Sequence, residues 1–159
     1  MNMDISNIIS DAVTEVMKAF PVMNLELAKK LAEKIEKKAS EMGVNAVIAI
    51  ADAGARTVYA ECMDNSYYAS YDIAVNKAFT SVSLKMPTKD LAELAKPGGS
   101  LYGIQHTNNG KIVIFGGGVP LKVGNRIIGG VGVSGGTAKQ DTELGDYAVT
   151  AFTEIMKGI

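Results

Sequence analysis

Gly129-Gly130-Val131-Gly132-Val133-Ser134-Gly135-Gly136 is the stretch on which the fold turns. Residues 130–135 spell G-x-G-x-x-G between an apolar run and a helix-forming one, the arrangement of a dinucleotide-binding turn. That reading needs a further parallel strand after the helix, to bring an acidic residue to the ribose. The remainder of the chain instead holds a single helical pattern, Leu144, Tyr147, Ala148, Ala151, Phe152 and Ile155, running to Ile159. The run is therefore read as the last strand of an antiparallel sheet closed by a final helix, and no NAD is expected. Residues 132–136 also spell G-x-S-x-G, the nucleophile elbow of hydrolases, but the single histidine, His106, precedes Ser134 where that elbow needs one after it. Two meanings of the glycines stay open. They let backbone pack closely, or they let amides at the start of the last helix hold an anion or carboxylate.

Upstream, Gly124-Asn125 has the form of a two-residue hairpin turn joining strands at 119–123 and 127–133. Residues 112–115 read as one more strand, and Gly116-Gly117-Gly118-Val119-Pro120 as a bend, a bulge or a place of close ligand approach. Pro97-Gly98-Gly99-Ser100 is a loop; before it, Thr88 caps a short helix to Ala95, and residues 66–86 form a long helix with Tyr71, Ala74, Val75, Ala78 and Val82 on one face. Residues 44–51 and 57–61 form a hairpin around Asp52-Ala53-Gly54-Ala55. Nearer the start, Asn24 caps a helix striped by Ala28, Leu31, Ala32, Ile35, Ala39 and Met42 and stopped at Gly43. Ile5, Ile8, Ile9, Ala12, Val13, Val16, Met17 and Phe20 stripe an earlier helix ended by Pro21. The order α, α, β, β, α, α, β, β, β, α, with hairpins in place of strand-helix-strand units, predicts an α+β domain.

A chain of 159 residues suits one core. A formal charge of -1 gives no basic footprint for a polyphosphate, so nucleic acid is not expected as a partner. With one cysteine, Cys62, and one histidine, neither an internal disulfide nor a four-ligand zinc site is expected. The start carries no basic and apolar leader pattern and no run approaches the roughly 18 apolar residues of a membrane span, so a cytoplasmic protein is expected.

Several single residues invite a chemical reading. Lys77 lies among Ala74, Val75, Ala78 and Phe79, where it holds a propionate or other carboxylate, snorkels to water, or pairs with Asp141 or Asp52. His106, in Gln105-His106-Thr107-Asn108-Asn109, is a metal or haem-iron ligand or a solvated loop residue. Eight methionines and Tyr67-Tyr68 line a flat apolar ligand or belong to the core.

In order along the chain stand Ala49-Ile50-Ala51-Asp52-Ala53-Gly54, Met63-Asp64, Lys77-Ala78 with Thr80, Thr88, Gly117-Gly118-Val119-Pro120, and the run 129–136 with Gln140-Asp141. From about Leu25 onward these landmarks resemble the GlcG/HbpS-like family, also found as the C-terminal domain of PduO-type proteins. Where that family often has an arginine before the Met-Asp pair, this chain has Cys62. The resemblance implies an α+β domain with a five-stranded antiparallel sheet, similar to profilin and PAS-like folds, that forms homo-oligomers. It also implies binding of haem or a related tetrapyrrole, in a family with members in haem sensing, haem degradation or corrinoid metabolism. The cobalamin adenosyltransferase activity of PduO-type proteins belongs, by the same resemblance, to a separate N-terminal domain and is not expected here. Candidate ligand-binding residues are Lys77, Gly117, Gly118, Ser134, Gly135, Gly136 and Asp141, with His106 as the candidate iron ligand.

Residues 1–21 lie outside the resemblance and look like the encapsulation peptides that carry enzymes into bacterial microcompartments, with a shell protein as the implied partner. The alternative is a helix packed on its own domain, 22–159, or on a neighbouring subunit. The leading expectation is an oligomeric accessory protein that binds haem. The alternatives are a non-haem scaffolding protein of a microcompartment, or a small enzyme using Lys77, Ser134 or Asp141 around an anion site at the glycine loop. No complete acid–base pair stands out in the spacing, so binding is favoured over catalysis.

Overall fold

The computed structural model describes residues 5–158, the side chains of residues 17–19 excepted. Residues 1–4 of the N-terminal segment lie outside the described residues. The elements are α1 (Ile5–Ala19), α2 (Leu25–Glu41), β1 (Val47–Asp52), β2 (Thr57–Cys62), α3 (Ala69–Ser83), α4 (Thr88–Ala95), β3 (Gly118–Val123), β4 (Arg126–Ser134) and α5 (Ala138–Lys157), with short 3-10 turns at Ile104–His106 and Asn108–Gly110.

Alternation along β1 sets the layers, because successive side chains of a strand point to opposite faces. Ile48 and Ile50 join Leu31 and Ile35 of α2 and Leu144 and Phe152 of α5 in one buried cluster. Val47, Ala49 and Ala51 face the other way and meet Ala74, Ala78 and Val82 of α3. The sheet is thus covered on both faces, which is why β1 reads as a continuous apolar run.

The strand order is β2-β1-β4-β3, and every neighbouring pair is antiparallel. Both expected hairpins form. Val123 pairs with Arg126 across Gly124-Asn125, with Gly124 at φ +57, and Asp52 Oδ1 accepts from the amides of Gly54 (2.9 Å) and Arg56 (3.0 Å) in the other turn. Asn24 caps α2, its side chain accepting from Leu27 N.

The sheet has four strands where five were expected. Ile112 and Val113 are buried, but they join no ladder; the Val113 amide donates instead to Thr80 Oγ1 at 3.0 Å. A side-chain hydroxyl on α3 therefore does what a neighbouring strand would have done, and the segment needs no sheet partner. Thr88 also differs from expectation. Pro87 occupies the cap position of α4, and the Thr88 hydroxyl turns inward to accept from Gly118 N at 2.8 Å.

Paired rows of small residues bring α3 onto the sheet. Ala49 pairs with Gly132 and Gly132 with Gly118, while the next row runs Ala51, Gly130 and Pro120. A Cβ built on Gly132 would run into the Ala74 carbonyl oxygen, and one on Gly118 would stand 2.6 Å from the Lys77 carbonyl oxygen. Helix backbone lies directly on strand backbone there, which no larger residue permits.

Among its described side chains, helix α1 leaves the apolar stripe in the open, with Ile5 at 72% and Ile9 at 58% exposure. Arg126 reaches the end of this segment: its Nη2 donates to Pro21 O at 2.7 Å, and its guanidinium lies 5.8 Å from the Phe20 ring centroid. Among the described residues no helix is long and apolar enough to cross a membrane.

Candidate functional site

The small-residue face of α3 delivers a lysine to the interior. Ser70, Ala74, Lys77, Ala78 and Ser81 recur at spacings of three and four, and all are buried. Lys77 is 0% exposed; its Nζ donates to Val133 O of β4 at 2.7 Å and to Asp141 Oδ2 of α5 at 2.7 Å. Of the readings open for Lys77, the structure realises the pair with Asp141; Asp52 instead meets Arg56 at 3.1 Å. Burial pulls the Lys77 ammonium below the ordinary lysine range, while the charge and hydrogen bond of Asp141 pull the other way.

Gly117 makes room for this pair. At φ +115, a conformation that favours glycine, its Cβ would lie 2.7 Å from Lys77 Nζ and 2.9 Å from Asp141 Cβ. Gly136 N donates to Asp141 Oδ1 at 2.9 Å, so both carboxylate oxygens are engaged. Thr137 caps α5 through a capping box with Gln140, which occupies the amides of Thr137 and Gln140. Three of the amides expected to hold an incoming anion, those of Gly136, Thr137 and Gln140, thus already hold the protein's own acceptors, with Asp141 as the carboxylate at the glycine turn. Gly135, at φ +151, passes against the backbone of Asn45 and Ala46.

Beside the ion pair lies a cleft of about 360 Å³ lined by Tyr67, Ser70, Ile73, Phe115, Ser134 and Asp141 among others. Ser134 and Ser70 are buried, with Oγ atoms 3.1 Å apart. The Phe115 ring centroid lies 4.9 Å from Lys77 Nζ. Lys77, Gly117, Ser134, Gly135, Gly136 and Asp141 are therefore brought together at or beside the cleft, whereas Gly118 serves backbone packing. His106 is exposed on the first 3-10 turn, beside Gln105 Nε2 at 3.5 Å, and does not line this cleft. Sequence reasoning misses Ser70 and Phe115. The signal for Ser70 is its place two helical turns before Lys77; Phe115, just before the three glycines, has the spelling of a strand residue.

Known proteins share this architecture. A protein of Citrobacter freundii, described as a 15.0 kDa protein in the dhaT-dhaS intergenic region, is 43% identical over 133 residues, covering 84% of this chain and 94% of that protein. Corrinoid adenosyltransferase PduO of the same organism is 34% identical over 134 residues, which are 83% of this chain and only 40% of PduO. The crystal structure of a PduOC:heme complex superposes with a TM-score of 0.78 at 32% identity, covering 82% of this chain and 94% of that one. Residues 23–150 match the family model described as haem degrading protein HbpS-like, and the chain belongs to that family.

Proposed function

We propose that this protein is an accessory protein that binds haem or a related tetrapyrrole, works as a homo-oligomer and serves corrinoid-linked metabolism. The observation that carries the reading is the likeness to the PduOC:heme complex over most of both chains. The loop at 104–111 supplies groups of the right chemistry. His106 offers an exposed imidazole able to ligate iron, and Lys111, also exposed, offers an ammonium for a propionate. Gln105 Oε1 is buried without a partner next to that imidazole, so the loop holds unused hydrogen-bonding capacity where a bound group would sit. When bound, haem would supply iron-centred chemistry; the chain's part is to ligate, orient and shield it.

Adding haem to the purified protein should give a saturable Soret shift. His106→Ala should alter that spectrum and weaken binding by at least about tenfold, the scale seen when a metal site loses a supporting group. Absence of a Soret shift and of a defined stoichiometry sinks the haem reading, and an unchanged spectrum in the variant removes His106 from the site.

The open stripe of α1 favours a second, compatible reading, in which residues 1–21 dock on a microcompartment shell protein and carry the domain inside. Burying four of the large apolar side chains contributes about 1.5–3 kcal/mol each before the costs of association. Deleting residues 1–21 should leave a folded domain with a melting temperature within about 3 °C of the full chain, because the large apolar side chains described there, Ile5, Ile8, Ile9, Val13, Val16 and Phe20, are exposed. The deletion should abolish co-sedimentation with shells. A loss of folding or of assembly would assign the helix to the domain or to a neighbouring subunit instead.

A further inference from the structure

The third hydrogen of the Lys77 ammonium has a ring for a partner. An ammonium has three donors; Val133 O and Asp141 Oδ2 take two at 2.7 Å each, and Phe115 covers Nζ with its centroid at 4.9 Å. Phe115 is no core residue. It is 41% exposed and forms part of the cleft wall, so its ring has open solvent on one side into which it can turn. In the same cleft, Ser134 Oγ donates to Ser70 Oγ at 3.1 Å, and no acceptor is found for the hydrogen of Ser70 among the described residues.

Charge decides what such a place accepts. The lysine contributes +1 and the aspartate −1, so the buried pair is already neutral. A ligand carboxylate here would be a second anion sharing one engaged cation, and an uncompensated buried charge is costly. A neutral acceptor carries no such penalty. We propose that this cleft binds a small neutral carbonyl compound, such as an aldehyde, ketone or amide. Its oxygen accepts from the Ser70 hydroxyl and, once the Phe115 ring swings aside, from the third N–H of Lys77. Ile73, Ala138 and the Tyr67 ring give its alkyl part an apolar wall. This ligand differs from the carboxylate that the neighbourhood of Lys77 suggests in sequence, and it uses residues separate from the 104–111 loop.

Acetone and acetate, alike in shape and different in charge, test the idea in solution. In amide NMR spectra, acetone should shift the Phe115, Ser134 and Gly135 resonances saturably in the millimolar range, while acetate at equal pH and ionic strength should not. Phe115→Leu, which keeps apolar bulk at a partly exposed position, should bind acetone about tenfold more tightly because no ring competes for the ammonium. Ser70→Ala should bind it about tenfold more weakly. The proposal is overturned if acetone gives no saturable shift in either the native protein or Phe115→Leu, or if acetate binds as well as acetone. Equal acetone affinity in the native protein and Phe115→Leu overturns the gate.

Discussion

Lys77→Met should lower the unfolding free energy by about 3–5 kcal/mol, the scale for removing one partner of a buried ion pair. Methionine follows the stem of the lysine but leaves the Asp141 carboxylate, on a residue 3% exposed, with the Gly136 amide as its remaining polar contact at the ammonium end of the cleft. Denaturant melts should show an earlier midpoint with an unchanged slope, since the folded and unfolded surfaces stay much the same. The double variant Lys77→Met/Asp141→Leu should recover a large part of the loss, because no orphan charge remains. Recovery should be incomplete, as Gly136 N and Val133 O both lose their partners. A double variant that is destabilised by the sum of the two single losses would show that the pair is not the stabilising unit.

Gly132→Ala should destabilise by about 3 kcal/mol or more, at the upper end of overpacking effects. The added methyl group meets the Ala74 carbonyl oxygen and stands 2.6 Å from Ala78 N; both are helix backbone, which cannot move aside as a side-chain tip does. For a domain of this size that corresponds to a melting temperature lower by roughly 6–12 °C. Gly158→Ala is the control, since the nearest neighbour of its Cβ is Ile155 O at 3.5 Å, an ordinary contact. A native-like melting temperature for Gly132→Ala would mean that α3 sits farther from β4 than described.

Much of this is legible in the chain. Period-3.6 patterning locates the helices, because one face of each is more apolar than the other, and short apolar runs broken by turn residues locate the two hairpins, because the sheet is covered on both faces. Asn24, Asp52 and Gly124 announce their turns and caps through local chemistry, and local chemistry is what a sequence displays. The failures are long-range. Ile112 and Val113 have the composition of a strand, and nothing near them says that Thr80, more than thirty residues away, takes the amide. Thr88 has the spelling of a cap, yet its hydroxyl is claimed by Gly118 from another layer. At the site, Lys77 and Asp141 are both marked out, but the glycine turn reads as an anion receptor because the sequence does not show that Asp141 folds back onto it. The glycines of β4 are rightly tied to close backbone approach. For Gly130 and Gly132 the partner is α3, far upstream, and Gly129 meets Ala51 and Met23; the helix that comes next is met by Gly136, beyond the strand.

The strand order β2-β1-β4-β3 carries a consequence for how the molecule comes into being. Each outer hairpin is a local event, but the two are sewn together only along the seam from Val47–Ser134 to Asp52–Gly129, between residues some eighty positions apart. The buried lysine crosses that same divide, anchored in the middle of the chain and tethered near its end. Neither half can complete its interior alone, so the chain is divisible in sequence but not in space, and its folding must wait on the slow closure of that long loop.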